Sequence, residues 1–411
     1  MTSSAKKSLW LKIKTWGCRP RVYTILWGIV ALASILTKIS SPEKYNNFRI
    51  FRQSFWHLLG RQDLYTPYPD QYNDIFLYGP LFGTVVAPFS VIPVSWLSMA
   101  LWNLGLTAML FYSIYILERN NDRRALIYWL TAHELLLALF MQQYNVACCA
   151  LILLTFVAVR SKREGWAAFF LMLGVLTKIY GIVGLAFFPF ARNKGKLILY
   201  TVVWGVVLGC LPMLVSSPEY VIGQYARWME VLHLKSELNT FAYSQNISLL
   251  GIVRKVSGSA SYSDLWVIVP MVILFALPYL RRRWYSSSHF QMLTLAQTLI
   301  YVVILSTGSE SSGYITAMVG IAIWYIYGRA FLPMWLSTTL LIGALVLTTF
   351  SYSDLMPAFI RLGVVKPYAL KALFPSIIAL VNAYTLLTAN FSYPGNQKRV
   401  AEGIKNETVS L

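Results

Sequence analysis

The chain has 411 residues, 57% of them hydrophobic and 15% aromatic but only 12% charged, about half the charged share of an ordinary soluble chain. At a mean hydropathy of +0.56 it carries more apolar surface than one soluble core of this length can bury, which excludes an ordinary soluble enzyme and implies an all-α polytopic integral membrane protein. The formal charge is +19, from 35 Lys and Arg against 16 Asp and Glu, yet the basic residues sit in short clusters beside apolar runs. That is how lipid phosphates and membrane topology are read, and nucleic acid is not an expected partner.

In chain order, residues 1–21 read as a cytoplasmic basic N-terminus containing Lys6, Lys7, Lys12, Lys14, Arg19 and Arg21. It has no long apolar core, and no small-residue cleavage site follows it, so the first apolar run is expected to be an uncleaved helix. A span needs about 20 apolar residues, fewer where the bilayer thins. Spans are predicted at 22–39, 76–92, 95–117, 125–140, 143–160, 166–190, 197–215, 264–280, 290–306, 313–328, 331–350 and 372–390. This gives about twelve transmembrane helices in one domain, 22–390, with outer loops 40–75, 216–263 and 351–371 and a cytoplasmic polar tail, 391–411. Arg192 to Lys196, Arg281 to Arg283, and Lys398 with Arg399 fall on the cytoplasmic side of this count, as the positive-inside rule asks. The basic loops Arg119 to Arg124 and Arg160 to Arg163 fall on the wrong side. Either the segments from 125 to 190 include broken or re-entrant helices, or the rule is locally overridden. Lys178, between two apolar runs, favours a break, because an intramembrane cation needs a partner or a watery cavity.

In the first outer loop Phe48, Phe51, Phe55, Leu58 and Leu59 recur at helical spacing against Arg49, Arg52 and Gln53, the pattern of an amphipathic helix lying in the interface. Gly60 ends it, and Thr66 to Asp70 form a turn-rich link. Cys148, Cys149 and Cys210 lie in apolar segments and Cys18 in the basic stretch; without metal-ligand spacing, neither a disulfide nor zinc is expected. Four of the acids, Glu43, Asp63, Asp70 and Asp74, crowd the first outer loop. They are either turn caps in solvent or the carboxylates of acid/base chemistry at a membrane surface. Glu310 sits in STGSESSGY, a polar knot between two apolar runs. His133 and Glu134 stand together in an apolar helix, as a packed polar contact between helices or as the wall of a site. His57, His233 and His289 lack ligand spacing and read as structural.

Six phrases run in order across residues 45–314: YNNFRIFRQSFWHLLGRQDLY, FLYGPLFGTVVAPFSVIP, QQYN opening an apolar helix, GVLTKIYGIVGLAFFPF before a basic loop, SQNISLLGIVRK, and STGSESSGY. Together they resemble glycosyltransferase family 87, polytopic enzymes of the GT-C class, over about two-thirds of the chain. The resemblance implies a GT-C-like bundle and a mannosyltransferase of the cell envelope, using a polyprenyl-phosphate mannose or a related sugar donor. The donor's lipid tail is then held in the bilayer, and a lipid-linked or glycan acceptor is met at the outer, periplasmic face of the inner (plasma) membrane. Membrane lipids are the other expected partners, and a monomer is the expected unit.

Such a donor needs a groove open to lipid, a cation for its phosphate and a polar mouth. Lys178, Arg49 and Arg52 are the candidates for the phosphate. The alternative for Lys178 is pairing with Glu134 or a carbonyl, and for the two arginines contact with lipid headgroups. By analogy with the family, Tyr78, Gln143, Asn145, Gln245, Asn246 and Ser248 line the sugar and acceptor site, where amides offer both donors and an acceptor; helix packing is the other use of such groups. Tyr243, Trp228 and Trp56 are candidates for stacking on sugar rings. The family places an Asp, the base toward the acceptor hydroxyl, where this chain has Asn47, and an amide cannot accept that proton. Another carboxylate serves, or the acceptor is already an anion, or the protein binds without transferring. Substitution by Glu43 or Asp63, the nearest acids, is the favoured reading, with Asp74 and Glu310 as further candidates. No metal and no cofactor is expected, since Lys and Arg can stabilise a lipid-phosphate leaving group and no DxD pair is present. A flippase for a lipid-linked sugar is the alternative function, although no inverted repeat is visible; an inactive binding paralogue is the other.

Overall fold

A computed structural model describes residues 15–259 and 261–392. The basic residues before Thr15 and the tail bearing Lys398 and Arg399 lie outside the described residues. Among the described residues all regular structure is helical, the form in which an apolar chain satisfies its backbone groups within each segment.

The principal helices are α1 (Pro20–Leu36), α2 (Asn46–Leu59), α3 (Pro80–Ser90), α4 (Ser95–Leu117), α5 (Asn121–Phe140), α6 (Asn145–Arg160), α7 (Glu164–Thr177), α8 (Lys194–Cys210), α9 (Pro218–Leu238), α10 (Leu249–Ser257), α11 (Leu265–Ala276), α12 (Ser288–Ile304), α13 (Tyr314–Gly328), α14 (Met334–Gly343) and α15 (Leu373–Thr388). A 3₁₀ segment, Ile179–Phe190, follows α7, and α14 widens into a π-helical stretch, Ala344–Phe350. Among the described residues three helices are long and apolar enough to cross a membrane, Ser95–Leu117, Lys194–Leu214 and Leu370–Thr388, and several shorter ones are apolar. The centre is α12 against α13, nearly every residue of which is buried. At the rim, α8 buries only Leu197 and Leu208 and turns Ile198, Val202 and Val206 outward. An apolar outer face on a helix is what a lipid solvent requires and water does not.

Contacts between loops define two ends of the bundle. At one end Tyr23 donates to Asn121 at 3.0 Å, Arg160 to Ser288 at 3.2 Å, the Asn193 amide to Glu164 at 3.0 Å, and Arg281 to the carbonyls of Leu386 and Ala389 at 2.6 and 2.7 Å. The basic loops 119–124, 160–163, 192–196 and 281–283 are therefore gathered there. At the other end Asn47 donates to the Met141 carbonyl at 2.8 Å, the Gly79 amide to Thr177 at 3.0 Å, Trp228 to Leu77 at 3.0 Å and the Asn246 amide to Thr307 at 3.1 Å.

This arrangement corrects the sequence reading in two places. The run at 76–92 does not pass from end to end. Its helix, α3, has 11 residues, about 16 Å at 1.5 Å per residue. It starts beside Thr177 and finishes where Arg52 of α2 donates to Ser90, Ile92 and Ser95, so it lies against α2 at the second end. Phe51 packs on Phe82 at 4.9 Å between ring centroids. The run at 166–190 is instead two segments, α7 and the 3₁₀ segment, antiparallel and broken at Lys178, whose backbone is extended (φ −148). Gly174 and Gly181 face each other so closely that a Cβ on Gly181 would stand 2.3 Å from the Gly174 carbonyl carbon. One segment fewer before residue 95 and one more after 164 bring these four basic loops to a common end. Nor are the predicted outer loops bare: 216–263 contains α9 and α10.

Candidate active site

A cavity of about 890 Å³ opens at the end opposite the basic loops. The start of α2, the loops around 74–78, 141–145 and 306–313, the break at Lys178, α9 and the 243–247 stretch surround it. Its deeper wall is apolar, with Leu137, Phe140, Ile152, Val302 and Val303.

The polar wall is the loop between α12 and α13. Its Ser, Thr and Gly residues give a helix little to bury, and the chain instead runs extended beside Asn246 and Ile247, whose amides donate to Thr307 and Ser309 at 3.1 and 2.9 Å. Glu310 then points its carboxylate at two amides: Gln245 Nε2 donates to Oε1 and Gln143 Nε2 to Oε2, each at 3.3 Å. The Tyr78 hydroxyl in turn donates to Gln143 Oε1 at 3.0 Å. Burial pushes the Glu310 carboxyl above the ordinary glutamate range, against the opposing pull of the Lys178 ammonium and the Gln245 hydrogen bond. Lys178 donates to Asn145 Oδ1 at 2.7 Å, and its ammonium lies 5.2 Å from the Tyr78 ring and 4.9 Å from that of Tyr180. Two of its three N–H donors are without a protein acceptor among the described residues, a cation open to an anionic ligand. Asn145 also donates to Ser312 at 3.2 Å, so cation and carboxylate hang on one hydrogen-bonded frame.

Of the residues singled out in the sequence, Asn47, Asp74, Tyr78, Gln143, Asn145, Lys178, Gln245 and Glu310 line this cavity, as do Cys148, Trp228, His233 and Tyr243. Asp74 sits at the mouth, capping the Ile75 amide at 2.9 Å and facing Lys235 at 3.7 Å, with a backbone φ of +80. Asn47 uses its NH2 on the Met141 carbonyl, a bond that an Asp could not make.

The rest lie elsewhere, which corrects several expectations. Glu43 is exposed in the short turn Pro42–Tyr45. Asp63 accepts from the Tyr65 amide at 2.9 Å and faces Arg227 at 3.6 Å. Neither of these nearest acids reaches the cavity. Arg49 donates to the Gln71 carbonyl and Arg52 to the α3–α4 turn, so both guanidinium groups are engaged in holding the loops around α2. Asn246 and Ser248 stand behind the lining, where Ser248 accepts from the Gly251 amide at 3.0 Å as the N-cap of α10 and donates to Asn246 at 2.6 Å. His133 and Glu134, adjacent on a helix, point apart. His133 lies against Phe350, at 5.3 Å between ring centroids, and Glu134 meets Lys371 at 2.8 Å. The pairing of Lys178 with Glu134 does not occur. Lys235, Lys366 and Tyr180 line the cavity unforeseen. Lys371 was missed although, like Lys178, it is a cation beside an apolar run, and the acid of α5 needed one. Among the described residues no group of three or more His, Cys, Asp or Glu side chains stands together as a metal ligand set.

The sequence model of glycosyltransferase family 87 matches residues 76–307, more than half of the chain. The match includes Tyr78, Gln143, Asn145, Lys178 and Gln245 and ends just before Glu310. No curated protein matches the chain.

Proposed function

The chain belongs to glycosyltransferase family 87, and we propose that it moves a sugar, mannose or a related hexose or pentose, from a polyprenyl phosphate to a lipid-linked or glycan acceptor at the outer face of the membrane. The observation that carries this reading is that Lys178 and Glu310 line one cavity that has an apolar wall beside its polar one. A monophosphate finds the ammonium, the prenyl chain finds Leu137, Phe140, Ile152, Val302 and Val303, and sugar hydroxyls find the amides of Gln143, Asn145 and Gln245.

In the proposed reaction the acceptor oxygen forms a bond to the anomeric carbon as the bond from that carbon to the phosphate oxygen breaks. The electron pair leaves with the polyprenyl phosphate, stabilised by Lys178. The acceptor's proton goes to the carboxylate of Glu310, which a raised carboxyl pKa suits for base work nearer neutral pH. Glu310 thus takes the part that the family resemblance gives to an Asp at the position of Asn47. Asp74 is the second candidate, but its charge is already faced by Lys235. No step calls for a metal.

For the surrounding membrane, we read the segments that run between the two ends as spans within one catalytic domain, 22–390, with α2 and α3 at the outer interface. Segments of 14 to 17 residues are about 21–26 Å long, which a locally thinned bilayer accommodates. The K/R bias of loops assigns the basic end to the cytoplasm, and the cavity then opens outward from the inner (plasma) membrane. The test is transfer by purified monomer from short-chain polyprenyl-phosphate sugars to a glycolipid extract, with E310Q as the control. Transfer from nucleotide sugars alone overturns the reading.

A further inference from the structure

Glu134 on α5 and Lys371, just before α15, are both fully buried, and Lys371 Nζ donates to Oε1 and Oε2 of Glu134 at 2.8 and 3.1 Å. Neither lines the cavity. Apolar replacements of a buried ion pair are often neutral or stabilising, because desolvation offsets the Coulomb attraction. Stability is therefore a poor reason for this one. Its third contact points elsewhere: Lys371 Nζ also donates to Ser311 Oγ at 3.1 Å, and Ser311 is the neighbour of Glu310. Three successive residues of the loop are thus held by different elements: Glu310 by Gln143 and Gln245, Ser311 by Lys371, and Ser312 by Asn145, which also accepts from Lys178.

We infer that Glu134 and Lys371 form a positioning pair for the site, clamping Ser311 from behind the cavity wall so that Glu310 keeps its aim and, through Ser312 and Asn145, Lys178 keeps its place. The inference rests on the transferase reading above. Lys371 alone cannot do this, because without Glu134 its ammonium stands uncompensated among apolar helices; Glu134 fixes it in charge and direction. The loop it grips is a run of Ser, Thr and Gly whose small side chains are placed mainly by hydrogen bonds, and at Ser311, next to Glu310, that bond comes from Lys371. A shift of about 1 Å in a catalytic group can cost about a hundredfold in rate.

The test uses the purified full-length protein and the double variant E134L/K371M, which removes both charges at similar volume, beside the conservative E134D. Thermal unfolding, amide exchange by mass spectrometry and the kinetics of transfer are measured on each. The double variant is expected to unfold at the wild-type temperature or above, while peptides covering 245–248 and 306–313 exchange about tenfold faster and those of α12 and α13 do not. Its kcat falls about tenfold or more and its donor KM rises about fivefold as Lys178 loses its place, while E134D stays within about threefold of wild type on both. Should the double variant not fold, S311A, which leaves the pair intact and cuts its link to the loop, carries the same test. Wild-type exchange in the 306–313 peptide, or a kcat that falls only with the folded fraction, overturns the inference. If wild-type protein transfers from no polyprenyl-phosphate sugar, the transferase reading fails, and loop exchange alone still decides whether the pair clamps the loop.

Discussion

Glu310 has both carboxylate oxygens on neutral amides, whereas Asp63 and Asp74 face Arg227 and Lys235; of the two acids that line the cavity, it is the one in no ion pair. E310Q keeps the shape, so kcat is expected to fall about 10²- to 10⁴-fold with donor binding retained, as product formation and donor titration would measure. The base acts ionised and burial raises its carboxyl, so kcat/KM should fall on acidification at a pH above the ordinary glutamate range. E310Q should lose that limb. Removing the cation in K178M should weaken binding of a short-chain polyprenyl phosphate about 10- to 100-fold, the value of a charge-assisted hydrogen bond. N47D exchanges a donor to the Met141 carbonyl for a carboxylate; a lowered unfolding temperature and no gain in kcat are expected, and a gain would revive the inactive-paralogue reading. Glu310 and Lys178 were legible in the sequence because a charge beside apolar runs is costly without a purpose. Lys371 as the partner of Glu134 was not, since the two are far apart in the chain and meet only where the fold brings the turn before α15 to α5.

The elements set these residues by close backbone approach. Gly79 leads Tyr78 into α3 with its amide on Thr177, and a Cβ there would lie 2.0 Å from the Leu176 carbonyl oxygen; Gly181 meets Gly174 in the same way across the break that presents Lys178. G79A and G181A are therefore expected to destabilise by about 1–3 kcal/mol or more and to displace Tyr78 and Lys178, seen as a lower unfolding temperature together with lost turnover. G209A, with nothing within 4 Å of the added Cβ, should be neutral or slightly stabilising in helix α8. A common outcome for all three would mean that glycine packing does not build the site. The break at Lys178 could be read from the sequence, since a lysine there interrupts an apolar run. The lie of α3 could not: its apolar run resembles a span, and what keeps it short is tertiary, the grip of Arg52 on Ser90 and Ile92 and the packing of Phe82 on Phe51.

Across the whole molecule, the basic loops 119–124, 160–163, 192–196 and 281–283 stand at one end and the cavity at the other. Single cysteines at exposed positions, K162C and R282C at the first end and D70C and E237C at the second, are expected to label with a membrane-impermeant maleimide from opposite sides; K162C sharing a side with D70C would undo this topology. The helical class and the clustering of basic residues were plain from composition and charge. The wrong-sided loops at 119–124 and 160–163 were themselves the clue that one segment was overcounted and another undercounted, though charge alone did not say which. The apolar wall, the ammonium of Lys178 and the carboxylate of Glu310 are the features on which the proposed lipid-phosphate sugar donor rests. The most direct measurement is mass spectrometry of the lipid products formed when purified protein is incubated with short-chain polyprenyl-phosphate sugars and a membrane glycolipid extract. The expected result is a glycolipid heavier by one sugar, released polyprenyl phosphate in equal amount, and neither product with E310Q; intact donor that binds and raises the unfolding temperature without transfer would contradict it.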